Sequence, residues 1–453
     1  MLRYTKDIAV GNPCDVIVCG GGPAGIAAAI AARRAGMKVL LVEATGQLGG
    51  MGTSGLVSHW LGGWTSDGRL QCVGGIFTEF VRETSARGIA VDPTTIADER
   101  YPPFGWLRGL ATGVPFDPFA MAAYLDEKVL AEGVHLLLLT HAVDVLGDED
   151  HISHVIVFNK GGFVAIPARV VIDATGDADV AFYSGCETVA GRPEDGLLAP
   201  ASLEFHVDNV DQDALASYIY KYDSPRLREL IADLRARGEW PFPYDIFISV
   251  QLTEKGTMFI NTNRLVGVDG TDGLSLTQGM ISGRHEIMEL MRIMRNHIPG
   301  FAHARLKTVA PLMGIRETRR IVGDFVLTVD DLVTGRDFED TIGFSGYGWD
   351  LPDPKKPSHQ PMVGKPMARP YTPIPYRCLV PRPITNVLCP GRAISVERDC
   401  LGPLRVQAPC MAMGEAAGLA AAMIVSQGTA CKDLDVTALR ERLRKSGAIV
   451  DME

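Results

Sequence analysis

The sequence predicts an α/β protein with parallel strands, interrupted by a long segment of α+β character. Three observations lead there. Residues 15–43 read as a β-α-β unit with a glycine-rich turn between the first strand and the helix. A later apolar strand, Arg169–Asp173, runs into Ala174-Thr175-Gly176. After residue 370 a short strand, a turn at Gly391 and a long helix of small residues follow one another.

Taken in order, Asp15–Cys19 is an apolar run that ends in Gly20-Gly21-Gly22-Pro23-Ala24-Gly25. Ile26–Ala35 is a helix of Ala, Ile and Arg stopped by Gly36, and Lys38–Val42 is a second buried strand ending at Glu43. The stretch 46–75 is dense in glycine and polar residues and reads as loop. Prolines 102, 103, 115 and 118 punctuate the chain before a helix over Phe119–Glu132. His135–Val145 and Ile152–Phe158 look like strands. Between residues 200 and 370, strand-like segments (Ala201–His206, Ile246–Leu252, Thr257–Asn261) surround one strong helix. Its Met280, Ile287, Met291, Met294 and Ile298 fall at helical spacing, which is expected to be core packing rather than a ligand surface. Asn386–Gly391 is a strand and turn, Pro409–Ser426 a helix with Pro at its start and Gly428 at its end, and Leu439–Lys445 a charged, solvated helix.

Composition narrows the function classes. The 453 residues carry 44 basic and 54 acidic side chains, a net charge of −10. That balance lacks the electrostatic footprint of a phosphate-backbone binder, so no nucleic-acid partner is expected. At 46% apolar and 22% charged the chain is not disordered. Its 49 glycines exceed the average share of about 7% and suggest turns or close backbone approach to a ligand. No apolar run reaches the ~18 residues of a membrane span, and Arg3, Lys6 and Asp7 near the start do not resemble a secretory signal. Nine scattered cysteines, without CxxC, indicate neither zinc nor a disulfide framework. A soluble protein of a reducing compartment, the cytoplasm, is the expectation.

The pattern Gly20-x-Gly22-x-x-Gly25 follows a strand, opens a helix and precedes Glu43 by 18 residues. This whole context is the Rossmann dinucleotide fingerprint. Gly20 permits the tight turn, Gly22 lets the backbone approach a pyrophosphate, and Gly25 allows the helix to pack against the sheet. The pyrophosphate sits on the helix N-terminus, where free N–H groups and the macrodipole favour negative charge. Glu43 accepts hydrogen bonds from an adenosine ribose and repels a 2′-phosphate.

With the fingerprint, Gly49-Gly50-Met51, Ala174-Thr175-Gly176, Gly391-Arg392 and the Gly-Glu-Ala-Ala-Gly helix from Gly414, the chain resembles FAD-dependent oxidoreductases with a glutathione-reductase-like flavin domain. Gly314–Gly323, Pro375–Pro381 and Gly402–Val406 are similar to the generic branch distantly related to fumarate-reductase flavoproteins. The resemblance spans nearly the whole chain. It implies bound FAD, with a discontinuous FAD domain of residues 1–60, 120–200 and 370–453, and a substrate domain of residues 60–120 and 200–370. It implies cofactor contacts at Gly20, Gly22, Pro23, Ala24, Gly25, Glu43, Gly49, Gly50, Met51, Val143, Ala174, Thr175, Gly176, Gly391, Arg392, Arg405 and Val406. Many relatives have Asp where Arg392 stands, so their ribityl contact does not transfer to Arg392.

Reduced flavin is negative around N1 and C2=O. The helix N-terminus near Pro409, with Arg405 and Arg392, would stabilise that charge; the same helix can equally be core. Arg316, Arg319 and Arg320, at i, i+3 and i+4, are expected to share one helical face. They can grip a substrate carboxylate or deliver a proton, or make ion pairs with Glu317, Asp324 or Asp330. His59, in the glycine-rich loop, can be a general base, a covalent flavin attachment point, or neither. Arg316, Arg377 and His59 are the catalytic candidates. The expected reaction is hydride transfer at flavin N5 with a small organic substrate, either dehydrogenation of C–OH or C–N or reduction of an activated C=C. A flavin-dependent RNA-modifying or partner-assembly protein is the alternative. No second GxGxxG or redox CxxC occurs, so electrons are exchanged with the substrate and a second partner that the sequence does not specify. The oligomeric state is left open.

Overall fold

The computed structural model describes residues 2 and 5–452, so Arg3 of the N-terminal segment lies outside the described residues. The first β-α-β unit forms as expected: strand Cys14–Cys19, helix Pro23–Arg34 and strand Val39–Val42. Strands His135–Leu137, Val39–Val42, Cys14–Cys19 and Gly162–Asp173 lie side by side in parallel, and Val387–Leu388 pairs in parallel with the last of them. Strand Gly162–Asp173 serves two purposes. Its C-terminal half joins the parallel sheet, while its N-terminal half pairs antiparallel with Ile152–Asn159, which in turn pairs with His141–Gly147. The expected strand 135–145 is therefore two strands, and Val143 falls at the register shift between Ala142 and Asp144.

The C-terminal helix, Gln407–Gln427, packs along the fingerprint helix. Small residues decide this contact. A Cβ on Gly414 would run into the Ala24 carbonyl, and one on Gly418 into the Ala28 carbonyl. The helix is long and apolar enough by composition to cross a membrane, yet 89% of its most apolar window is buried inside the protein. Its buried Glu415 accepts from the Ile76 N–H (2.9 Å) and the Ser446 hydroxyl (2.6 Å), which ties helix Ile76–Ala86 and the chain end to this core.

A second core lies under a four-stranded antiparallel sheet, in the spatial order Ser249–Gln251, Met258–Ile260, Phe205–Asp208 and Arg305–Val309. Helix Gly273–His297 buries Ile287, Met291 and Met294 there, as the stripe predicts; Met280, one end of the stripe, packs against the same core partly buried and also reaches the cavity described below. Residues 60–120 contribute to both cores. Trp60, Phe77, Phe80 and Phe116 pack with the fingerprint helix, whereas Tyr101 and Trp106 pack with the antiparallel sheet. Leu327, Phe344 and Ile374 also belong to the first core. All nine cysteines are buried free thiols.

Candidate active site

The three fingerprint glycines meet three different constraints. Gly20 has φ +107° and its Cβ would strike the Ala174 carbonyl, so turn and close approach both require glycine. A Cβ on Gly25 would collide with the Gly20 carbonyl, because helix and strand touch there. Gly22 has φ −75° and no atom within 4 Å of its Cβ position; its backbone faces open space. The helix that follows starts with Pro23 and carries no side-chain cap, which leaves N–H groups of its first turn for a ligand. The second glycine turn docks on the first: Gly49 N–H donates to the Gly21 carbonyl (2.9 Å), and a Cβ on Gly50 would come within 2.9 Å of Gly22 Cα. Glu43 clamps this arrangement. Its Oε2 accepts from Gly21 N–H and its Oε1 from Thr45 N–H, both at 2.6 Å.

These elements open onto a cavity of about 1260 Å³ between the two cores. Among the residues expected at the cofactor, Gly20, Gly22, Pro23, Ala24, Glu43, Gly50, Met51, Ala174, Thr175, Gly176, Gly391, Arg392, Arg405 and Val406 line it. Gly25 and Gly49 lie behind the wall as packing residues. Val143 is off the wall, since the register shift leaves its neighbours His141 and Ala142 there instead. His59 and Arg316 line the cavity. Arg377 does not: its guanidinium lies at the surface on Asp340 (3.0 Å) and over the Phe325 ring.

The arginine cluster is not helical. Arg319–Ile321 is a strand paired with Thr188–Ala190, so successive side chains diverge. Arg319 pairs with Asp179 (2.9 Å) and covers the Phe182 ring. Arg320 joins Arg398 on the buried Glu317. Arg316 alone of the three reaches the cavity.

The cavity wall also carries residues with no motif of their own: Glu204, Arg226, Arg264, Tyr347, Asp350 and Gln407. Arg316 donates to the Pro200 carbonyl (2.6 Å) and the Ser202 hydroxyl (2.9 Å); Arg264 donates to the same hydroxyl (3.2 Å) and to the Asn263 carbonyl (2.8 Å). Arg226 donates to the Gly105 carbonyl. Among the described residues, none of these three guanidinium groups has a carboxylate within ion-pairing distance. Burial, reinforced by Arg264 and Arg405, brings Arg316 down to about 9, and burial brings Arg226 to about 10. Both remain cationic at neutral pH. Arg405 differs, since it holds Asp350 through the backbone carbonyl (2.9 Å) and Oδ2 (3.1 Å). Burial pushes the Asp350 carboxyl up, but Arg405 and Arg316 more than offset this and keep it below the usual carboxylate range. Burial lowers His59 to about 4 and holds its imidazole neutral. In the sequence Glu204 alternates with Ser202 and His206 in an ordinary strand-like pattern, Ala201–His206, so nothing local singled out this cluster.

Twelve buried side-chain polar atoms lack a protein partner among the described residues. Six lie on this wall: His59 Nε2, Glu204 Oε2, Arg264 Nε, Arg392 Nη1, Arg405 Nε and Gln407 Oε1. Buried polar groups are normally satisfied, so their concentration here marks a wall shaped for a polar ligand. FAD fits it. The open backbone at Gly22 and the uncapped helix suit a pyrophosphate, and Glu43 suits the adenosine end. Arg392, whose other nitrogen holds Asp177 (2.6 Å), offers a free donor.

Comparison with known proteins agrees with this cradle. Residues 15–443 match the FAD dependent oxidoreductase family. A stretch of 210 residues is 32% identical to the thiamine thiazole synthase of Aeropyrum pernix, spanning 43% of this chain and 66% of that protein, just under two thirds of its length. Two solved structures resemble the fold. A geranylgeranyl bacteriochlorophyll reductase-like protein of Thermoplasma acidophilum is 13% identical, with 96% of this chain and 83% of that one covered and a TM-score of 0.49. The p-nitrophenol 4-monooxygenase of Pseudomonas putida is 12% identical, with 97% and 85% covered and a TM-score of 0.49. The chain belongs to the FAD dependent oxidoreductase family, and its cofactor is FAD.

Proposed function

We propose that this enzyme transfers a hydride between FAD and a small organic acid. The observation that carries the reading is the pair of buried guanidinium groups, Arg264 and Arg316, which share the Ser202 hydroxyl and line the cofactor cavity with no carboxylate within ion-pairing distance among the described residues. A buried charge is costly unless paired, so these groups favour an anion of the substrate. A carboxylate suits their planar donors. Bound FAD supplies a two-electron acceptor or donor at N5. The chain would supply the rest: the uncapped helix would hold the pyrophosphate, Glu43 the ribose, and Arg264 with Arg316 would orient the carboxylate. Arg405, held by Asp350, and the helix beginning at Gln407 line the same cavity and would favour reduced flavin if its pyrimidine end lay against them. The nine buried free thiols are consistent with a reducing, cytoplasmic setting, which is part of this reading.

An anaerobic stopped-flow panel tests it. Lactate and malate, with the neutral alcohols glycerol and propanediol, are mixed with oxidised holoenzyme; crotonate and fumarate, with their amides, are mixed with photoreduced holoenzyme. The expectation is that carboxylates of one group change the flavin absorbance and that their neutral counterparts do not. The reading fails if neutral compounds react as fast as acids, or if Arg316→Leu leaves the rate and KM for the acid unchanged.

A further inference from the structure

Five acidic residues line the cavity: Glu43, Asp177, Asp179, Glu204 and Asp350. Four are committed. Glu43 holds two backbone N–H groups, Asp177 holds Arg392 and Thr318, Asp179 holds Arg319, and Asp350 holds Arg405, Tyr347 and Gln360. Glu204 is different. Its side chain makes no hydrogen bond among the described residues, although the residue is only 2% exposed and Oε2 is fully buried. Its backbone is held in place, with the carbonyl accepting from Ala310 N–H (2.9 Å) immediately before strand Phe205–Asp208. The carboxyl is thus fixed at its root, uncommitted at its tip, and on the same wall as Arg264 and Arg316.

We infer that Glu204 is the catalytic acid–base that exchanges the substrate's proton. The inference rests on the organic-acid reading, because it places the reacting carbon beside the two arginines. In the oxidative direction the substrate C–H bond breaks and its hydrogen leaves with both electrons to oxidised FAD. The substrate O–H or N–H bond breaks, its proton bonds to Glu204, and the C=O or C=N double bond forms. In the reductive direction one carbon of an activated C=C would receive the hydride that bound, reduced FAD would supply, and protonated Glu204 gives its proton to the other carbon.

The electrostatics fit this role. The charged groups that act on Glu204 are Arg316 and Arg264, which lower its pKa, while burial raises it; burial wins and brings it to about 8. A general acid–base works best near the ambient pH. His59, whose Nε2 lacks a partner, is held near 4 by burial and stays a neutral, weakly basic imidazole at neutral pH. Arg316, held near 9, is hydrogen-bonded through both terminal nitrogens to neutral acceptors and is better placed to bind than to exchange protons.

Three measurements on the FAD-loaded enzyme test the inference. Retained FAD serves as the folding check. Infrared titration should show a protonated carboxyl in the wild type that disappears near pH 8 and is missing from Glu204→Gln. Malonate, used as an anion probe, should bind the wild type up to tenfold more weakly per pH unit as Glu204 loses its proton, and Glu204→Gln should lose that part of the dependence and keep only the weakening at higher pH that follows loss of charge on Arg316. Flavin reduction or reoxidation by the reactive acids of the panel should slow about 10²–10⁴-fold in Glu204→Gln and lose its pH dependence. Glu204→Asp should restore part of the rate and the pH dependence, and carries the test if Glu204→Gln does not fold. Identical carboxyl bands in wild type and variant, or a variant rate within about threefold of wild type, would overturn the assignment. Failure of malonate to bind the wild type at any pH would instead overturn the organic-acid reading, while the infrared titration still decides whether Glu204 exchanges protons.

Discussion

Replacing Glu43 by Ala separates two roles that one carboxylate performs. Its two oxygens accept from Gly21 N–H and Thr45 N–H at 2.6 Å each, and the residue is 7% exposed. Hydrogen bonds to a charged acceptor are worth about 1.5–3 kcal/mol each. The site borders a cavity that water can enter, so the lower end applies, and the two losses should destabilise the FAD-free protein by on the order of 3 kcal/mol. Loss of the ribose contact should weaken FAD binding by a further one to two orders of magnitude, at about 1.4 kcal/mol per factor of ten. The bound flavin should keep its absorbance spectrum, because Glu43 lies at the adenosine end. Chemical denaturation of the FAD-free protein measures the first effect, and quenching of free FAD fluorescence on titration measures the second. Glu43→Gln should fall between, since one amide oxygen can still accept while the NH₂ group faces a backbone donor. An FAD affinity within about threefold of wild type would refute the adenosine placement. Unchanged stability of the FAD-free protein would refute the clamp.

The fingerprint glycines should separate in the same way. Gly22→Ala meets open space at φ −75°, so the fold should survive while FAD affinity drops; Gly25→Ala drives a methyl into the Gly20 carbonyl, so soluble protein should fail to accumulate. Parallel expression yields and FAD content check both, and a FAD-replete Gly25→Ala protein would contradict the packing argument. Acid stability offers another test. Burial lowers both His59 and His206 to about 4 from an ordinary value near 6.5, so the unfolded chain binds more protons between those pH values. Stability should therefore be present above about pH 6.5 and be lost as pH falls through 4, by up to ~1.4 kcal/mol per pH unit for each imidazole. His206→Asn should flatten that dependence in denaturation curves; an unchanged slope would show that the imidazole protonates freely.

Much of the nucleotide half was legible because its rules are local. A strand, a turn whose glycines each meet a steric limit, and a helix of small residues are all contiguous in the chain, and Glu43 ends the very next strand. The C-terminal helix was legible for a related reason. Its glycines recur at the spacing of one face, and that face meets the fingerprint helix at Ala24 and Ala28. The arginine run at 316–320 misled because spacing was read as helical where a strand pair with Thr188–Ala190 sends the side chains apart. That pairing joins segments about 130 residues apart, and nothing within the run itself encodes it.

The nucleotide cradle could be read from the chain alone: the fingerprint, the acidic residue after it, and the small residues that let two helices touch. These are constraints of backbone geometry, and glycine at a given position states them directly. The proposed substrate end depends on long-range contacts. Glu204, Arg264 and Arg316 come from three separate segments and converge because the antiparallel sheet and the loops after it close over the nucleotide cradle. Arg377, from an equally suggestive motif, is turned to the surface by its pairing with Asp340. A charge's meaning depends on what surrounds it, and that is set by folding: a guanidinium is a solvated ion pair at the surface, as at Arg377, and a candidate anion site where burial leaves no carboxylate within pairing distance, as at Arg316.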